Sequence, residues 1–184
     1  MVGFLQNKKT KVIIVMASRL LIGTLFTIFG FLRAVNPIGG AYKVESYLNA
    51  AGLHFFLPAS LILTILFAAW EFALGVCTLL GTNIRSTSLF MIVMMAFLLP
   101  FGIYNAYFVP VQNNDSFSDV MWINDTLMCW IYLILLLISI LIFIWKKHSY
   151  SPYTHRTEWT IALYSFFTSI LLSIYCYVGL PILD

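Results

Sequence analysis

Two ionisable residues, Arg19 and Glu71, stand inside stretches that otherwise carry no charge, "RLLIGTLFTIFGF" and "LTILFAAWEFALGVCTLL". Hydrocarbon makes a charge expensive, so an intramembrane arginine or glutamate is a functional-site candidate by default. A guanidinium beside a carboxyl could relay protons or hold a quinone head group. The same two groups could instead fix the register of two helices, or the arginine could snorkel to the surface. At 1.5 Å per residue, Arg19 lies roughly 10 Å from the N-terminal end of its stretch. Glu71, on the descending stretch, lies roughly 13 Å from that same side by the same rise. A guanidinium covers the difference, so an Arg19–Glu71 pair is expected.

The other reactive side chains give weaker signals. None of the three cysteines is in C-x-x-C spacing. Cys77 reads as a small core residue. Cys129 and Cys176 both fall about one turn inside the same surface and could form a disulfide if their helices adjoin. Two inert buried thiols are the alternative. His54, His148 and His155 have no cysteine or carboxylate at zinc-ligand spacing, so no metal site is expected. No Walker loop, G-x-G-x-x-G or H-E-x-x-H is present. The long polar stretch "VQNNDSFSDVMWIND", residues 111–125, holds three of the seven acidic residues and no basic one.

These residues need helices in lipid to position them. Of 184 residues, 61% are hydrophobic and 9% charged, against about 25% charged in a soluble domain. Five runs, 12–32, 58–80, 86–107, 127–145 and 159–179, each approach the ~20 residues a helix needs to cross a bilayer. Backbone amides must pair internally there, so these are helices. The first run is too long for a signal-peptide core and is read as retained. Lys8, Lys9, Lys11, Arg85, Lys146, Lys147 and Arg156 fall on one side if the spans alternate, with Arg33 and Lys43 on the other. The positive-inside rule then predicts a cytoplasmic N-terminus and an outer C-terminus. The net charge of +3 follows this bias and does not argue for nucleic-acid binding.

Between the first two runs, Asn36-Pro37 and Gly39-Gly40 predict a break. Val44, Tyr47, Leu48 and Ala51 then recur at helical spacing, with Gly52 as a stop. A short helix at about 41–51 is expected, lying on the outer surface or capping the bundle. "GTNIRST" is long enough only for a hairpin, and Pro100 should kink the third span. Asn124 or Asp125 can cap the fourth helix and Thr157 the fifth. Residues 146–158 read as an ordinary cytoplasmic loop.

"RLLIGTLFTIFGFLRAVNP" followed by "EFALGVCTLLG" resembles the DoxX family, near its MauE-like redox-associated branch. The matching positions are Arg19, Gly23, Gly30 and Arg33, then Glu71, Gly75 and Gly81. The likeness covers most of residues 19–184. It implies an all-α integral membrane fold, an antiparallel four-helix bundle at 1–145 with an outer loop at 108–125. A cytoplasmic loop and a fifth span follow at 146–184. It also implies a bacterial plasma (inner) membrane and thiol or electron traffic at its outer face, often with a thioredoxin-fold partner. A quinone is the cofactor class this allows. Related proteins carry an outer-loop motif similar to D-C-G-C-F-G-D. Aligned on Phe117 and Asp119, Asn114 and Ser116 take the cysteine positions, and neither supplies a thiolate. The expectation is therefore an accessory subunit without thiol chemistry of its own, not an independent enzyme. The alternative is a scaffold that docks a partner through Asp115, Asp119 and Asp125 of the outer loop.

Overall fold

The computed structural model describes residues 8–50, 52–108, 125–148 and 151–179. The helices are α1 (Lys8–Val35), α2 (Pro37–Ala50), α3 (Ser60–Leu80), α4 (Ile84–Phe108), α5 (Asp125–Ile144) and α6 (His155–Gly179). Two 3-10 turns, His54–Ala59 and Lys146–His148, lead into α3 and follow α5. No strand occurs among the described residues. Five helical segments are long and apolar enough to cross a membrane: Lys8–Val35, His54–Leu80, Ile84–Tyr104, Thr126–Ile144 and His155–Gly179. The chain is a multi-pass membrane protein, and each hydropathy run lies on one of these segments to within a few residues.

The apolar core is drawn from four helices. Ile22, Phe26 and Phe29 of α1 meet Leu74 of α3, Met91, Met94 and Met95 of α4, and Leu135 and Ile142 of α5. Among the described residues α6 buries only Ser169 and Ser173, and it packs on α3 and α1. Large apolar side chains such as Ile13, Val93, Leu137 and Leu171 point outward. In water that surface would aggregate; lipid is its solvent.

The tightest seam joins α1 to α3. A Cβ on Gly30 would overlap the backbone nitrogen of Phe72, one on Gly75 would overlap that of Thr27, and one on Gly23 would stand 2.8 Å from that of Leu79. Small residues let membrane helices approach closely where van der Waals packing is the main attraction. These contacts also fix the antiparallel register, Gly23 level with Leu79 and Gly30 level with Phe72.

The turn after α3 is a short glycine-closed hairpin, as expected. Gly81 takes φ +78°, and the N–H groups of Gly81 and Thr82 both donate to the Cys77 carbonyl at 2.9 Å, a Schellman-type stop. Two local expectations are corrected. The break falls at Asn36-Pro37, as expected, but Gly39-Gly40 takes no part in it, and α2 begins at Pro37 rather than near residue 41. Proline at a first helical position loses only an N–H that is unpaired anyway, and Asn36 Oδ1 accepts from Gly39 N–H at 3.1 Å. Gly40 then lies inside α2, where a Cβ would overlap the Thr64 methyl group of α3. At the start of α6 the cap is Thr154, three residues earlier than expected; its Oγ1 lies 3.5 Å from Thr157 N and 2.9 Å from Thr157 Oγ1.

Candidate functional site

Glu71 sits at the middle of α3, 1% exposed, and forms an ion pair with Arg33 in the last turn of α1, 13% exposed. The Arg33 guanidinium also lies 4.7 Å from the centre of the Phe67 ring, close enough for a cation–π contact. Phe67 is one turn before Glu71, so ring and carboxylate present one stripe of α3 to the same arginine.

The expected Arg19–Glu71 pair is not formed. Arg19 Nε donates to the Thr78 carbonyl at 3.2 Å, and a Cβ on Gly81 would overlap its guanidinium. Arg19 therefore serves the C-terminal end of α3, where the dipole end is negative, and adds a second donor to the Thr78 carbonyl, which also accepts from Gly81 N–H at 3.2 Å. The cause is register. Depths measured from the ends of two hydropathy runs set Arg19 level with Glu71, whereas the glycine contacts slide α3 so that Glu71 meets Arg33. About 21 Å of helix separates the two arginines. Sequence reasoning had set Arg33 in the outer loop. The signal that could have found it is the glycine set itself, since opposing Gly30 to Phe72 sets residue 33 level with residue 69, about 3 Å along the helix from Glu71 and within an arginine's reach.

A cavity of about 310 Å³ opens above this pair, roofed by α2 and walled by the neighbouring ends of α1, α3, α4 and α5. That is the small end of the range for ligand cavities. Its polar lining is Arg33, Lys43, Tyr47, Thr64 and Tyr132. Of the apolar face expected from the sequence, Val44, Tyr47 and Leu48 are turned into it, and Ala51 lies outside the described residues. The roof is held where Ser60 Oγ donates to Glu45 Oε1 at 2.8 Å and where Gly40 meets Thr64. A quinone would find carbonyl partners in the arginine, lysine and tyrosines, and apolar walls in Leu63 and Phe97. The donor set fits that class.

A second cavity, about 240 Å³, lies between α3, α4 and α6, lined by Trp70, Cys77, Phe90, Trp159 and Phe166. At its polar end, Glu158 Oε1 accepts from Asn83 N–H at 3.1 Å and from Ser151 Oγ at 2.5 Å. A carboxylate thus closes the N-terminus of α4, where anions are favoured. The loop read as an ordinary connector is a clamp between α6 and the α3–α4 turn.

Cys129 and Cys176 are separate thiols. Cys129 faces α4, its Cα 3.7 Å from where a Cβ on Gly102 would stand. α6, which carries Cys176, packs on α3 and α1. Among the described residues no three His, Cys, Asp or Glu side chains cluster to hold a metal. His54 Nδ1 pairs with Asn49 Oδ1 at 3.1 Å, and His155 Nε2 accepts from Trp159 Nε1 at 3.4 Å. The loop positions Asn114, Ser116, Phe117 and Asp119 lie outside the described residues, as does nearly all of 111–125. No family model, curated protein or solved structure matches the chain.

Proposed function

We propose that the chain is a DoxX/MauE-like accessory protein of a membrane redox system, with thiols supplied by a partner. In this reading α1, α3, α4 and α5 form the antiparallel core and α6 is the added span. The N-terminus lies in the cytoplasm of a bacterium and the C-terminus outside its plasma membrane. The arginine–glutamate pair, rather than a cysteine pair, is the centre of the protein's action.

One observation carries the proposal. The seven residues on which the resemblance rests lie on two helices far apart in sequence, yet they meet along a single seam. Gly23, Gly30 and Gly75 close it, Arg33 and Glu71 pair near its α2 end, and Arg19 packs on Gly81 at the other end. A set of residues that acts as one unit is what a functional family motif requires. Single glycines scattered over five spans would not form such a unit.

The test compares the thiol redox state of outer-compartment proteins in cells with and without the gene, by alkylation and mass shift. Deletion should move a defined set of client thiols, and the wild-type gene should restore them. The paired variant Arg33→Leu/Glu71→Leu leaves no buried charge unmatched, so it should fold and accumulate normally. It should nevertheless fail to restore the clients. A thiol profile indifferent to deletion sinks the redox role, and full restoration by the paired variant reduces the ion pair to a helix fastener.

A further inference from the structure

The cavity between α3, α4 and α6 has the opposite character to the one under α2. Its wall includes the carboxylate of Glu158. All ten lysines and arginines of the chain are among the described residues, and none of them lines it. Glu158 Oε1 takes both of its hydrogen bonds from neutral donors, the Asn83 amide and the Ser151 hydroxyl. The α4 N-terminus beside it supplies only about half an elementary positive charge, which does not cancel a carboxylate.

The neighbouring polar groups are set to accept rather than to donate. Thr82 Oγ1 gives its proton to the Cys77 carbonyl at 3.2 Å, and Thr87 Oγ1 gives its own to the Thr82 carbonyl at 3.1 Å. Each hydroxyl is left with lone pairs. Much of the remaining wall is aromatic. Trp70 and Phe90 stand edge to face with centres 5.7 Å apart, and Trp159 and Phe166 line the α6 side. The Trp159 indole N–H is given to His155 at 3.4 Å, so what Trp159 offers the cavity is π surface. Ring faces are negative and attract cations within about 6 Å. Carboxylate, lone pairs and rings therefore favour one sign of ligand. A fully alkylated ammonium suits such a wall, because it has no N–H that needs an acceptor among the rings. At about 240 Å³ the space falls below the ~300–1,000 Å³ of drug-sized sites, which admits a compact cation with one ring and excludes a long-chain amphiphile.

We infer that this cavity binds a compact lipophilic cation of the aromatic quaternary ammonium class, its charge beside Glu158 and Trp159 and its ring towards Trp70, Phe90 and Phe166. The inference rests on this cavity alone and is independent of the redox role.

The test uses the full chain in dodecyl maltoside, whose sugar head carries no charge and no choline. It is labelled with a diazirine-bearing benzyltrimethylammonium and mapped by peptide mass spectrometry. Adducts should fall around Trp70, Phe90 and Trp159. Benzyltrimethylammonium should suppress them at concentrations at which neopentylbenzene, the same shape without the charge, and phenylacetate, with the opposite charge, do not. Trp159→Leu should weaken labelling about fivefold, the worth of a cation–π contact, and Trp159→Phe should keep most of it. Trp159 is 55% exposed, so neither variant disturbs the core. Glu158→Gln leaves an oxygen to accept from Asn83 and Ser151 but removes the charge, and should weaken labelling about threefold. The competition series needs no variant at all. Suppression by neopentylbenzene equal to that by the cation overturns the proposal. So do adducts confined to outward residues such as Leu137 and Leu171, or labelling of Trp159→Leu equal to that of the wild type.

Discussion

The two arginines of α1 that reach α3 are handled in opposite ways. Arg33 meets a full counter-charge, on a glutamate that is itself buried, with an aromatic ring alongside. Arg19 meets the carbonyl end of the helix at Thr78 and Gly81. A helix C-terminus carries about half an elementary negative charge, sufficient for a half-exposed guanidinium near a span's end. It would not serve Glu71, which at mid-span has to have a cation brought to it. An arginine in an apolar run is therefore no sure sign of an acidic partner, whereas a mid-span carboxylate is a strong sign of a basic one.

The largest effect should come from breaking the buried pair on one side. Glu71→Gln leaves Arg33 without its counter-charge and should cost about 3–5 kcal/mol of stability, read as thermal unfolding in detergent micelles. Replacing both partners by leucine should recover most of that loss; an equal loss in the double variant would mean that the pair is not the unit described. Next comes the seam both arginines depend on. Gly30→Ala forces the helices apart at Phe72 and should cost about 1–3 kcal/mol, and an unchanged melting temperature would show that the register is set elsewhere. The smallest change is expected at the helix-end site. Arg19→Met should cost no more than about 2 kcal/mol, and a loss matching that of Glu71→Gln would erase the distinction between the two sites.

The five spans were legible because twenty apolar residues in a row admit few structures, and the inward face of α2 was legible from Val44, Tyr47 and Leu48. Glu71 was legible as a candidate site residue because a mid-span carboxylate is rare. Its partner was not, because register depends on how far two helices slide. Hydropathy marks where a span thickens with apolar residues, not where its helix ends. α1 continues to Val35, and those last residues carry Arg33 from the loop into the bundle. The Glu158 clamp was hidden for a related reason, since the groups that donate to it, Asn83 N–H and Ser151 Oγ, are distant or ordinary in sequence. The cavity could not be read at all, because it is a gap between five elements and belongs to no single one.

The order of the ion pair along the chain bears on how the protein is made. Arg33 is synthesised first and sits two residues before the end of α1, where a long basic side chain can reach the head groups while it waits. Glu71 follows 38 residues later, a few seconds at about 5–20 residues per second. It has no such refuge, being at the centre of its helix. By the time the translocon releases α3, a cation is already stationed in the membrane to receive its carboxylate. The reverse order would leave the deeper charge stranded first, so the direction of translation itself lowers the barrier to insertion.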